Sequence, residues 1–134
     1  MELKLADGNI KSFEEWFKQA EYDLGTAEAM FLSGRYIYTV FMCHLTIEKA
    51  LKGLYSKKFL KSPPKTHNLN YLCEMIQLSL EENLQEFIDI LNDLSVPTRY
   101  PEELERLLRD YNKENTVRVL EKTKVLLSCL KKKL

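Results

Sequence analysis

Phe41-Met42-Cys43-His44-Leu45-Thr46-Ile47-Glu48-Lys49-Ala50-Leu51-Lys52-Gly53-Leu54-Tyr55 is the stretch that decides the fold. With Ile37 and Val40 ahead of it, the residues Phe41, Leu45, Leu51, Leu54 and Tyr55 return at the spacing of one helix face. The spacing predicts a helix from about Arg35 to Leu60. His44 and Glu48 are embedded in its apolar stripe, four residues apart and so on one face, with Lys52 a further turn on. Ser62-Pro63-Pro64 ends it, because proline cannot continue a helix.

Upstream, Ser12-Phe13-Glu14-Glu15 reads as a capping box that opens an earlier helix. Phe13, Trp16, Phe17, Ala20, Leu24, Ala27 and Phe31 form its apolar stripe, and Gly34 supplies a stop. Trp16, on that stripe, reads as a packing residue. Two long helices joined at one glycine fold back as an antiparallel hairpin. Downstream, a helix is expected from near Asn68, carrying Leu69, Leu72, Cys73, Ile76 and Leu80. Another opens with Asn83 as its cap and carries Leu84, Phe87, Ile88, Leu91 and Leu94. Pro97 and Pro101 bracket an irregular connection. A short helical turn from Glu102 to Arg109 and a last helix from about Lys113 to Lys132 complete the chain. No strand-like alternation appears. The expected fold is all-α: an antiparallel up-and-down bundle of four main helices with one or two short extra helical turns. It forms one domain, 1–134, with residues 1–11 as an N-terminal arm.

Composition agrees. The 134 residues are 45% hydrophobic and 30% charged, with four Gly and four Pro, which favours helices over a loop-rich sheet. No apolar run reaches the roughly 18 residues of a membrane span, and the start lacks a signal-peptide core. Cys43, Cys73 and Cys129 are odd in number, far apart and without paired spacing, so they read as reduced thiols. A cytoplasmic protein with no membrane contact, metal or cofactor is expected. The net charge of zero gives no global pull towards nucleic acid. Yet six lysines and no acid lie between Lys49 and Lys65, and nine acids with Arg99 as the one base lie between Glu74 and Glu105. The basic stretch is either a set of solvated faces or a local anion site.

Few residues offer chemistry. His44 is a satisfied core histidine bonded to Glu48, or it lines a cleft with Glu48 and Lys52. His67 stands in Pro64-Lys65-Thr66-His67-Asn68-Leu69, at the mouth of a helix. Free N–H groups and the positive dipole end there can hold phosphate, with Lys65 adding charge. Alternatively Thr66 or Asn68 caps that helix and His67 packs locally. Arg99 and Tyr100 lie in the proline-bracketed loop, where an arginine can bond phosphate or carboxylate in bidentate fashion, or tie a structural ion pair with Glu102 or Glu103. The sequence has no glycine-rich phosphate loop, no cysteine pair, no Glu-x-x-His pair and no nucleophilic triad pattern.

Four segments, in order, carry a resemblance. They are Trp16-Phe17-Lys18-Gln19-Ala20-Glu21-Tyr22-Asp23-Leu24 with Gly34-Arg35-Tyr36, the Phe41–Tyr55 stretch, Pro64-Lys65-Thr66-His67-Asn68-Leu69, and Arg99-Tyr100-Pro101. Together they resemble the HEPN family, named for nucleotide binding in higher eukaryotes and prokaryotes. The resemblance implies a helical bundle that pairs into a homodimer. It also implies a small nucleotidyltransferase protein as partner, in two-component, toxin–antitoxin-like systems. Many members are metal-independent ribonucleases in which a histidine follows an arginine after four to six residues. Here eight residues separate Arg35 from His44, and no histidine follows Arg99, so that motif is absent. The expectation is a non-catalytic subunit that binds nucleotide through Lys65, His67, Arg99 and Tyr100, with Lys49 and His44 as further candidates. The alternatives are a ribonuclease toxin acting on RNA, with His67 as acid–base and Arg99 stabilising the phosphorane, and a dimeric scaffold without ligand.

Overall fold

The computed structural model describes residues 3–5, 8–94 and 101–133. Among them, α1 (Phe13–Leu32), α2 (Tyr36–Phe59), α4 (Glu82–Asp93) and α6 (Lys113–Lys131) are the four main helices. Two shorter ones, α3 (Leu69–Met75) and α5 (Pro101–Asp110), complete the helical set. The fold is the helical one the pattern predicts.

Local chemistry sets the ends. The Ser12 hydroxyl accepts the Glu15 N–H at 3.1 Å and opens α1. Gly34 turns the chain with φ +75, a conformation that costs a side chain strain but not glycine. At the far end of α2, Leu60 takes the left-handed C-cap position itself, with φ 54, just ahead of Ser62-Pro63-Pro64. Asn68 and Asn112 cap α3 and α6 by accepting N–H groups three residues on, at 3.0 and 2.9 Å.

The α1–α2 pair is antiparallel: Phe31 stacks near Tyr36, Asp23 pairs with Lys49, and Trp16 abuts Gly53. Helix α6 runs against α1, with Glu28 facing Lys124 and Glu21 facing Lys131. It therefore lies parallel to α2, against which it packs. Helix α2 packs against α1, α3, α4, α5 and α6. The sequence suggests one apolar stripe for α2, but the helix is enclosed on most of its circumference. Thr39, Thr46, Ile47, Ala50 and Ser56 are as buried as Leu51. Thr39 and Thr46 remain satisfied there because each hydroxyl donates to the carbonyl one turn back, at 3.1 and 2.8 Å.

Three expectations need correction. The sequence shows no strand-like alternation, in the N-terminal arm of residues 1–11 or elsewhere. The backbone of Leu3–Leu5 instead pairs antiparallel with Gly8–Ile10. Three-residue strands are too short for alternation to register. Helix α4 starts at Glu82 after Glu81, with no side-chain cap bond, so Asn83 lies inside the helix and does not cap it. Trp16 sits half-buried at the core edge, its ring covered by the Lys11 ammonium at 4.8 Å, while Phe13 and Phe17 hold the core positions. Cys43 and Cys73 are buried, and burial pushes their thiols up to about 11 and about 12. Both stay protonated and unreactive at neutral pH.

Gly53 sets how closely α1 and α2 approach. A Cβ there would meet the Trp16 Cβ at 2.9 Å and the Phe17 ring at 3.3 Å. The Trp16 Cβ is fixed to the backbone, so relief requires α1 to move. Alanine would gain roughly 1 kcal/mol in helix propensity, but overpacking costs about 1–3 kcal/mol. Gly53→Ala should therefore lower stability in chemical denaturation, against the usual gain for this exchange in a helix. A raised unfolding midpoint would show that the interface yields freely.

Candidate functional site

One carboxylate organises the polar interior. Glu48 lies on α2 and is 4% exposed. Its Oε2 accepts from the Lys52 ammonium at 2.9 Å, one turn along the same helix. Its Oε1 accepts from His67 Nδ1 at 2.9 Å, across from the loop that precedes α3. His44, one turn back, is also buried, with Nδ1 3.7 Å from Glu48 Oε1, too long for a hydrogen bond. His44 instead uses Nε2, 3.1 Å from the His67 carbonyl oxygen. A carbonyl can only accept, so His44 Nε2 carries a proton.

The two histidines have different states and roles. Burial holds the His44 imidazole below its ordinary value, against the opposing pull of Glu48. It is a neutral donor that pins the loop. His67 is exposed, with 75% of its side chain in solvent. Because Nδ1–H is committed to Glu48, the neutral ring presents its Nε2 lone pair outward. A carboxylate that fixes a histidine tautomer and orientation while the other nitrogen stays free is an arrangement suited to acid–base work or to bonding a ligand.

The loop carrying His67 is fastened at several points. Asn68 N–H donates to Thr66 Oγ1 at 3.1 Å, and Leu69 N–H donates to Asn92 Oδ1 on α4 at 2.7 Å. Asn68 caps α3 through the Tyr71 N–H. The free N–H groups expected at the mouth of this helix are thus largely committed, and α3 has seven residues. Thr66 and Asn68 cap the loop and helix as one reading held, but His67 does not pack locally: it reaches back to α2.

The other sequence candidates separate. Lys49 pairs with Asp23 of α1 at 2.6 Å and ties the hairpin together. His44 is buried and bonds the His67 carbonyl. Lys65 is exposed, two residues from His67, and forms no ion pair among the described residues. Arg99 and Tyr100 lie outside the described residues. The alignment of His44, Glu48 and Lys52 follows from helical spacing. The link from Glu48 to His67 spans nineteen positions and had no local signal.

Burying Glu48 beside Lys52 makes the pair costly to break. Glu48→Ala should lower stability by about 3–5 kcal/mol, because it leaves a buried ammonium uncompensated. Replacing both, as Glu48→Leu with Lys52→Met, should recover most of that loss. Double-mutant denaturation measures the difference, and simple additivity of the two single losses would contradict the coupling. His44 adds a pH dependence. Its folded-state affinity for a proton lies below the unfolded value near 6.5, so the unfolded chain takes up the proton first. Its contribution is complete above that pH and is lost as pH falls below it. His44→Gln keeps a donor for the His67 carbonyl but does not titrate. It should flatten the loss of stability between pH 7 and pH 5, and an unchanged slope would count against this assignment.

The family model for the HEPN domain matches residues 13–134. The chain belongs to the HEPN family. Its fold is similar to the crystal structure of TT1696 from Thermus thermophilus, with a TM-score of 0.77 and 24% identity, over 91% of this chain and 98% of that one. It is also similar to ST0689, an archaeal HEPN homologue, with a TM-score of 0.71 and 24% identity over 92% of this chain and 98% of that one. No curated protein matches the chain. Among the described residues no helix is long and apolar enough to cross a membrane.

Proposed function

We propose that this member of the HEPN family is a nucleotide-binding subunit that works as a homodimer beside a small nucleotidyltransferase protein, in a two-component system of the toxin–antitoxin kind. The observation that carries the binding role is His67: an exposed imidazole with its tautomer and direction set by a buried carboxylate. Such a ring loses little freedom on binding, which favours recognition of a phosphate or ribose hydroxyl. Lys65, exposed in the same loop, supplies positive charge. Arg99 and Tyr100 join the proposal on sequence grounds. Lys49 and His44 serve it indirectly, through Asp23 and through the His67 carbonyl.

The same dyad favours a second reading. A carboxylate-held histidine with a free Nε2 is a competent general base, so metal-independent cleavage of RNA is the alternative. The missing arginine–histidine motif weighs against it.

Calorimetric titration with nucleoside triphosphates, with and without a small nucleotidyltransferase protein, tests the first reading. Binding should weaken at least about tenfold in His67→Ala, the scale of a lost charge-assisted hydrogen bond. The Glu48→Leu, Lys52→Met pair separates site from scaffold: it should fold well yet bind poorly, because His67 loses its anchor. Heat signals absent in both mixtures would remove the nucleotide role. RNA cleavage by the wild type that disappears in His67→Ala would move the assignment to the enzyme.

A further inference from the structure

We propose a second ligand site, remote in residues from the His67 dyad: a cleft that takes a small phosphomonoester carried on an apolar or aromatic body. The cleft has a volume of about 570 Å³ and lies between the last turn of α2, the α3–α4 connection and the end of α6. That size is typical of small-molecule sites.

Three lysines border it, Lys57, Lys58 and Lys133, and among the described residues no carboxylate side chain does. The Lys58 ammonium donates to the Ile76 carbonyl at 2.9 Å, and the Lys133 ammonium donates to the Ser79 carbonyl at 3.3 Å. A carbonyl fixes an ammonium in place without cancelling its charge, and donors remain for a further acceptor. Lys57 lies over the Phe13 ring at 5.5 Å and, among the described residues, pairs with no acid. Apolar surface from Leu54, Ile76 and Leu78 contributes to the same wall. Clustered positive charge beside apolar surface matches a dianionic head joined to an apolar body.

The backbone gives an independent sign. Helix α3 ends in a Schellman motif: Leu78 N–H donates to the Cys73 carbonyl and Gln77 N–H to that of Glu74. The left-handed residue of that motif is normally glycine, yet here it is Gln77, with φ 55. Its side-chain oxygen lies 3.5 Å from the Lys58 ammonium, on the wall of the cleft. Ordinary capping of α3 by lysine explains the Ile76 contact. It explains neither the third lysine nor the lack of acids among the described residues, nor why the left-handed residue carries a side chain that reaches Lys58.

Amide NMR titration of the full chain tests the site, with phenyl phosphate as probe, inorganic phosphate as the head alone and phenol as the neutral body. Phenyl phosphate should give saturable shifts at Gln77, Leu78 and Ser79, at concentrations below those inorganic phosphate requires. Lys57→Ala and Lys133→Ala should each weaken it by about 3–5-fold, as expected for exposed charges. Gln77→Gly should raise the melting temperature while weakening binding, a split that a merely structural role would not produce. Absent saturation in the millimolar range, equal shifts with phenol, or affinity unchanged in both lysine variants would overturn the proposal.

Discussion

A buried carboxylate on the central helix is the constraint on which the candidate site depends. Glu48 sits on α2, the helix that packs against all five others, and so has little water to solvate its charge. An ionised group in that position must be paired and hydrogen-bonded or it destabilises the fold. Lys52 supplies the counter-charge from the same helix. The second oxygen needs a donor from elsewhere, and His67 provides it. Core electrostatics thereby determine where a surface loop must lie.

The enclosure that creates this demand comes from small residues. Ala20 and Ala27 on α1, and Ala50 on α2, are fully buried, and Gly53 lets the α1 backbone approach α2 closely. Larger side chains at these positions would hold the helices apart. The close hairpin also explains Lys49: Asp23 is 7% exposed on α1, and a buried carboxylate requires a cation, which Lys49 presents from α2. Two lysines of the basic stretch are therefore committed to two buried acids.

The sequence made the helices legible because their signals are local. Ser12 before Glu15, Gly34 between two stripes, and Pro63-Pro64 after Leu60 each act within a few residues. What was hidden is of two kinds. The hairpin Leu3–Leu5 with Gly8–Ile10 is too short for periodicity, and α2 has threonine and serine on enclosed faces that hydropathy reads as outward. The candidate site was half legible. Helical spacing aligned His44, Glu48 and Lys52, and the loop composition singled out His67. Their connection depends on how the α2–α3 loop folds back, which no local pattern encodes. The HEPN resemblance fits that gap, since it joined the two segments in one family without any spacing between them that implies contact.

The basic run Lys49–Lys65 looked like one feature, and helix geometry divides it. At about 100° per residue, lysines on a continuous helix cannot share a face unless they fall three or four apart. Lys49 and Lys52, three apart, share a flank of α2 and are neutralised there, by Asp23 of α1 and by Glu48 of α2 itself. Lys57 and Lys58 occupy the last turn of α2, where the negative end of the helix dipole favours cations. There they meet carbonyls and an aromatic ring and, among the described residues, no acid. Lys65 lies beyond the prolines, beside His67. Composition alone counts six equivalent charges, yet the fold cancels the charge of those that enter the bundle and leaves uncancelled those at its end. Uncancelled charge held in fixed positions is what distinguishes an anion site from a solvated face, and it lies where the helical core stops.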